Sequence, residues 1–197
     1  MKVTKTEITG LLIIEPDVFS DERGFFFESF SKMRYNENGI NHDFVQDNFS
    51  KSKKGTIRGL HYQIREKAQG KLCQVIVGEV LDVAVDIRFD SPTFGKYFSL
   101  VLNSEKKLQL WIPPGFAHGF SVLSDETIFS YKCTNYYSKI HERAILFNDP
   151  DLNIDWKTSS PVVSEKDLKA ALFKNIEKDL QATLFKNIGK DFTISPE

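Results

Sequence analysis

The stretch KLCQVIVGEVLDVAVDIR, residues 71–88, decides the fold class. Two apolar runs, 71–77 and 79–88, flank the single Gly78, which reads as a hairpin or a tight corner. In the second run Val83, Val85 and Ile87 point one way, while Asp82, Ala84 and Asp86 point the other, because strand side chains alternate with period 2. Outward from there the pattern repeats. Upstream, residues 11–14 form an apolar run ended by Pro16, and residues 25–30 follow the turn Asp21-Glu22-Arg23-Gly24. Downstream, strands are expected over 98–102, 107–112, 120–122 and 127–133, with Pro113-Pro114-Gly115 and Asp125-Glu126 as breaks. Strands at this spacing with no helical pattern between them predict an all-β jelly roll rather than alternating βα units.

The last quarter changes character. Residues 166–177, KDLKAALFKNIE, recur as KDLQATLFKNIG at 178–189. Leu168, Leu172 and Ile176, then Leu180, Leu184 and Ile188, fall at helical spacing. Two copies are too few for a solenoid. The expected organisation is a jelly-roll domain over 1–167 and a short C-terminal helical tail over 168–197. A duplication that extends a helix explains the tail; a partner-binding amphipathic helix is the other reading.

At 197 residues the chain is long enough to bury a core without disulfide staples. The 17 Phe favour half-buried pleated surfaces. A net charge of -1 gives no basic excess to suggest a nucleic-acid or membrane partner. No apolar run approaches the roughly 18 residues of a membrane helix, and the first ten residues lack an apolar signal core. Cys73 and Cys133 show no metal-type spacing, so reduced thiols in a cytoplasmic protein are expected.

Polar groups with chemical potential cluster in four segments: 57–63 (IRGLHYQ), 69–71 (QGK), 112–120 (IPPGFAHGF) and 131–137 (YKCTNYY). Singly, His61 reads as a satisfied structural residue, Lys71 as solvated and Tyr131 as core; His42 and His141 read as surface residues. The spacing Pro113-x-Gly115-x-x-His118 matches the second motif of the cupin jelly rolls, where a turn presents a His into the barrel. No His-x-His precedes it, and the matching strand offers Lys71 and Gln74, so no metal site is expected. A barrel holding His, Lys and Tyr suits proton abstraction beside a ketone. His is a base near neutral pH, Lys steadies an enolate oxygen, and Tyr stays protonated as a donor for the opposite face.

The ordered motifs DERGFFFE (21–28), FVQDN (44–48), RGLHYQ (58–63), QGK (69–71), PGFAHGF (114–120), YKCTNYY (131–137), FNDP (147–150) and SEKD (164–167) resemble the dTDP-4-dehydrorhamnose 3,5-epimerase family. The resemblance runs from about Val3 to Asp167 and leaves out the repeated tail. It implies a cupin-type jelly roll (a double-stranded β-helix) working as an isomerase without cofactor or metal, in dTDP-L-rhamnose biosynthesis. It implies His61 as the base, Asp167 as its orienting carboxylate, Tyr131 as the opposing proton donor and Lys71 as the enolate-stabilising lysine. His118, with Asp82 as partner, corresponds to a second pocket His. Arg23, Glu28, Gln46, Asn48, Arg58, Glu142 and Lys166 match substrate-binding positions, and Tyr137 is expected to stack on the thymine. The resemblance further implies homodimers with exchanged strands. The alternatives are an epimerase that acts at C3 or C5 only or serves another deoxysugar pathway, a more distant 3,4-ketoisomerase, a non-catalytic sugar-nucleotide-binding cupin, and a metal-dependent cupin enzyme.

Overall fold

The computed structural model describes residues 1–176. Its strands are β1 (Lys2–Lys5), β2 (Leu12–Glu15), β3 (Val18–Asp21), β4 (Gly24–Phe27), β5 (Gln46–Lys53), β6 (Thr56–Gln63) and β7 (Lys71–Val77), then β8 (Glu79–Asp86), β9 (Tyr97–Asn103), β10 (Gln109–Ile112), β11 (Phe116–Val122), β12 (Glu126–Cys133), β13 (Glu142–Ala144) and β14 (Val162–Val163). Two short helices, α1 (Lys32–Glu37) and α2 (Glu165–Leu168), accompany them. One sheet runs β1-β2-β10-β7-β12-β5, and the other runs β13-β6-β11-β8-β9 with β14 parallel to β6. β3 and β4 form a separate ribbon. This is the jelly roll expected from the strand pattern, with open sheets.

Gly78 is a corner rather than a hairpin. β7 pairs with β10 and β12 in the first sheet, whereas β8 pairs with β11 and β9 in the second. The chain crosses between sheets there with φ +83 at Gly78, and a Cβ would lie 2.2 Å from the Glu126 carbonyl oxygen.

Three apolar layers explain why β8 carries a near-continuous hydrophobic run. Cys73, Val75, Leu110, Ile112 and Phe129 of the first sheet meet Val80, Ala84, Leu102, Phe116 and Phe120 of the second. The other face of β8 sends Val83 and Val85 against Leu60, Tyr62, Phe147, Trp156 and Ile176. Outside the first sheet, Tyr35 and Ile40 cover Leu12, Ile14, Leu72 and Trp111. A central strand buried on both faces loses the polar half of its alternation.

In the first copy of the C-terminal repeat the helix is confined to one turn, α2, and Leu168 is exposed. Ala171 bridges to Ile145, and residues Phe173–Asn175 form a 3-10 turn. Tertiary contacts override the periodicity: the Phe173 ring lies 5.2 Å from Phe94, its N–H donates to Asp149, and Ile176 is buried. The second copy, 178–189, lies outside the described residues. Among the described residues, no helix is long and apolar enough to cross a membrane.

Candidate active site

The second sheet supplies one wall of the site. His61 stands on β6 directly opposite His118 on β11, and the register slips between His118 and Phe120. Two glycines permit that slip. A Cβ on Gly59 would lie 2.5 Å from the Gly119 Cα, and one on Gly119 would lie 2.7 Å from the Arg58 carbonyl oxygen. The strands therefore approach more closely than side chains allow, and a bulge re-aims the residues beside it.

His61 Nε2 lies 2.6 Å from Asp167 Oδ1. Asp167 is placed by α2, where the Ser164 hydroxyl oxygen accepts its N–H at 3.1 Å. Burial would raise the Asp167 carboxyl, but the bond and charge of His61, with further bonds from Ser164 and the Gly59 N–H, hold it below the usual carboxylate value. A carboxylate only accepts, so the neutral form of His61 carries its proton on Nε2 and a lone pair on Nδ1.

The first sheet supplies the facing wall. Lys71 opens β7 and Tyr131 lies on the neighbouring β12, with Lys71 Nζ 5.7 Å from the centre of the Tyr131 ring. Burial, reinforced by the Cys133 and Cys73 thiols, pushes the Tyr131 hydroxyl up to about 12, although the Arg58 charge opposes it. His61, Lys71 and Tyr131 line one cavity of about 120 Å³ with Gln46, Asn48, Tyr137 and Glu142. His61 and Tyr131 thus reach the same cavity from different sheets.

The polar rim is cross-linked. Gln46 Nε2 donates to Asn48 Oδ1 at 2.9 Å, and the Tyr137 N–H donates to Gln46 Oε1 at 2.9 Å. Glu142 accepts from the Tyr137 hydroxyl at 2.9 Å and pairs with Lys166 at 2.6 Å. Burial would raise Glu142, but Lys166 and Tyr137 hold it low. Arg58 donates to the Ser52 hydroxyl at 3.0 Å. Arg23 and Glu28 are not brought to the cavity. Arg23 sits at the tip of the β3–β4 ribbon, paired with Asp21, and Glu28 pairs with Arg34 at 3.6 Å.

His118 and Asp82 lie deeper, both buried, with Nε2 2.7 Å from Oδ1. Burial depresses the His118 imidazole, against the opposing charge of Asp82. Asp82 Oδ2 has no hydrogen-bond partner among the described residues. Cys73 Sγ lies 3.7 Å from His118 Nε2, and burial raises its thiol well above the usual value.

Sequence reasoning missed Gln63, Gln69, Cys73 and Cys133, of which all but Cys73 line the cavity. The period-2 rule could have found three of them, since Gln63 follows His61, Cys73 follows Lys71 and Cys133 follows Tyr131 by two residues. Gln63 also ties two loops together, donating to the Lys67 carbonyl and accepting the Ser138 N–H. His141, expected at the surface, is a loop staple between Ser138 and Glu66.

Residues 5–175 match a family model described as dTDP-4-dehydrorhamnose 3,5-epimerase. A Shigella flexneri protein of that name is 58% identical over 174 residues, covering 88% of this chain and 96% of the relative. A solved dTDP-6-deoxy-D-glucose-3,5-epimerase from Legionella pneumophila, in complex with dTDP-4-keto-L-rhamnose, superposes with a TM-score of 0.88 at 52% identity, covering 91% of this chain and 96% of that one. A 3'-monoepimerase from Streptomyces bikiniensis, in complex with dTDP-quinovose, superposes at 0.84 with 30% identity, covering 90% of each chain.

Proposed function

The chain belongs to the dTDP-4-dehydrorhamnose 3,5-epimerase family, and on that premise we propose how its cavity converts dTDP-4-dehydro-6-deoxy-D-glucose into dTDP-4-dehydro-L-rhamnose. One observation supports the reading: His61, paired with Asp167, and Tyr131 line a single cavity from different sheets. His61 Nδ1 takes the proton beside the C4 ketone, and Asp167 stabilises the imidazolium that results. The Lys71 ammonium stabilises the negative charge that gathers on the C4 oxygen. Tyr131 then delivers its proton to the opposite face of the same carbon, which inverts it. Once His61 has released its proton to solvent and Tyr131 has regained one from it, repetition at the second carbon flanking the ketone completes the reaction. No step draws on a cofactor or a metal.

Arg58, Gln46, Asn48, Glu142, Lys166 and Tyr137 hold the nucleotide and sugar, with Tyr137 stacking on the thymine. Arg23 and Glu28 serve the site of a second copy. Their ribbon exposes Phe19, Phe25 and Phe26 at 66%, 60% and 69%, surface that pairing of two chains would cover. The enzyme accordingly works as a cytoplasmic homodimer.

The test is proton exchange in D2O with dTDP-4-dehydro-6-deoxy-D-glucose and no added cofactor, followed by NMR. Deuterium is expected at both C3 and C5, with the L-rhamno product trapped by a reductase. His61→Asn is expected to lose at least about 1000-fold in turnover with an unchanged melting temperature. Exchange at one carbon only would place the chain with the single-site epimerases. Absence of exchange would leave a binding protein.

A further inference from the structure

We propose that Cys73, Asp82 and His118 form a binding site for one thiophilic divalent cation of the zinc type, buried behind the catalytic cavity, whose occupancy arrests turnover. Each of the three offers one ligand atom, and those atoms lie within 4.8 Å of one another. Thiolate, imidazole and carboxylate are the donors that zinc takes. The arrangement comes from both sheets: Cys73 on β7, Asp82 on β8 and His118 on β11. Rigid central strands hold the ligands, and all three residues are buried.

The distances suit a metal of that size. With Zn–S near 2.3 Å and Zn–N near 2.0 Å, the edge between sulfur and nitrogen in a tetrahedron is about 3.5 Å. The observed Cys73 Sγ to His118 Nε2 separation is 3.7 Å. The His118 Nε2 to Asp82 Oδ1 separation of 2.7 Å is a hydrogen bond, and it would open by about 0.6 Å to span a metal. A second observation points to a ligand independently. Asp82 Oδ2 is fully buried yet has no hydrogen-bond partner among the described residues. A carboxylate oxygen in that position calls for a water or a cation beside it.

The charges balance. Binding releases the Cys73 thiol proton to solvent, and the His118 proton that Asp82 accepts at Nε2 shifts to Nδ1, freeing Nε2 to ligate, so thiolate and carboxylate together neutralise the divalent cation. The consequence for turnover rests on the proposed epimerase reading. The cation consumes the His118–Asp82 pair and sets a positive charge beside Lys71, whose field already reaches His118 and Cys73. The lysine's attraction for an enolate-bearing substrate is then replaced by a rigid, misplaced charge. The reaction itself needs none of this, since Cys73 contributes no proton to it.

The experiment uses the full chain after dialysis against a chelator, titrated with zinc chloride alone by calorimetry and with cobalt chloride by absorption. One cation per chain is expected, with a cobalt–thiolate charge-transfer band. Turnover should fall at least about tenfold and return on adding EDTA, the drop expected when a pocket group is withdrawn. Cys73→Val should lose the cobalt band and weaken zinc at least about 100-fold, and whatever turnover it retains should no longer fall when zinc is added. Cys73→Ser, which keeps a similar volume, serves the same purpose if the valine variant does not fold. Cys133→Ser should still bind. Failure of the wild-type chain to take up one equivalent, as when a water fills the gap, would overturn the site, as would uptake that survives both Cys73 variants. Uptake without loss of turnover would overturn the inhibitory role. The titration and the cobalt band are read without substrate, so they decide the site even if the epimerase reading fails.

Discussion

Tyr131 holds its proton to about 12, against an ordinary value near 10, because it is buried against Cys133 and Cys73. A raised value means the folded chain keeps a proton that the unfolded chain gives up. The stabilisation is therefore complete below about pH 10 and is lost as pH rises towards 12. Tyr131→Phe should flatten that part of the alkaline decline in melting temperature; an unchanged decline would refute the assigned burial effect. Asp167 shifts the other way, so its stabilisation is present at neutral pH and is lost as acid protonates it. Asp167→Asn should cut turnover by about 100- to 10,000-fold with KM little changed, because the amide favours the wrong His61 tautomer. A loss confined to KM would assign Asp167 to binding instead. The identities of these residues were legible in the sequence through the motifs that hold them. Their pairing across 106 residues came only through the family resemblance, since nothing local brings 61 and 167 together.

At the scale of elements, the contact between β6 and β11 sets the geometry of His61. Gly119→Ala would press a methyl group against the Arg58 carbonyl oxygen and Gly59. A cost of about 1–3 kcal/mol is expected, or roughly 2–4 °C in melting temperature per kcal/mol, together with impaired turnover as His61 is displaced. Thermal unfolding and steady-state kinetics check both; a variant with wild-type stability would show that the strands can separate there. Strand positions around Gly78 were readable from alternation and turn residues. Its role as a corner was not, because pairing partners are non-local. The helical periodicity of residues 168–176 yielded to the ring of Phe94 and the carboxylate of Asp149, which hold Phe173.

For the molecule as a whole, the ribbon β3–β4 leaves Arg23 away from the cavity of its own chain. If it completes a partner's site, the protein in solution should have about twice the 22.6 kDa chain mass by light scattering. Arg23→Ala and His61→Asn chains, each weak alone, should recover about a quarter of wild-type turnover when co-expressed, because half the dimers are mixed and each has one intact site. No recovery would confine Arg23 to its own chain.

The sequence alone determined the class of the fold and named several of the residues that line the cavity. Alternation with period 2, the turn residues and the ordered motifs act over a few residues, so they survive in a linear reading. Only the tertiary structure decided the geometry: His61 and Tyr131 reach one cavity from different sheets, Asp82 lies 2.7 Å from His118, and Cys73 joins that pair. These contacts join residues dozens of positions apart. They arise when two sheets close on a shared apolar layer, and no stretch of chain carries that closure by itself.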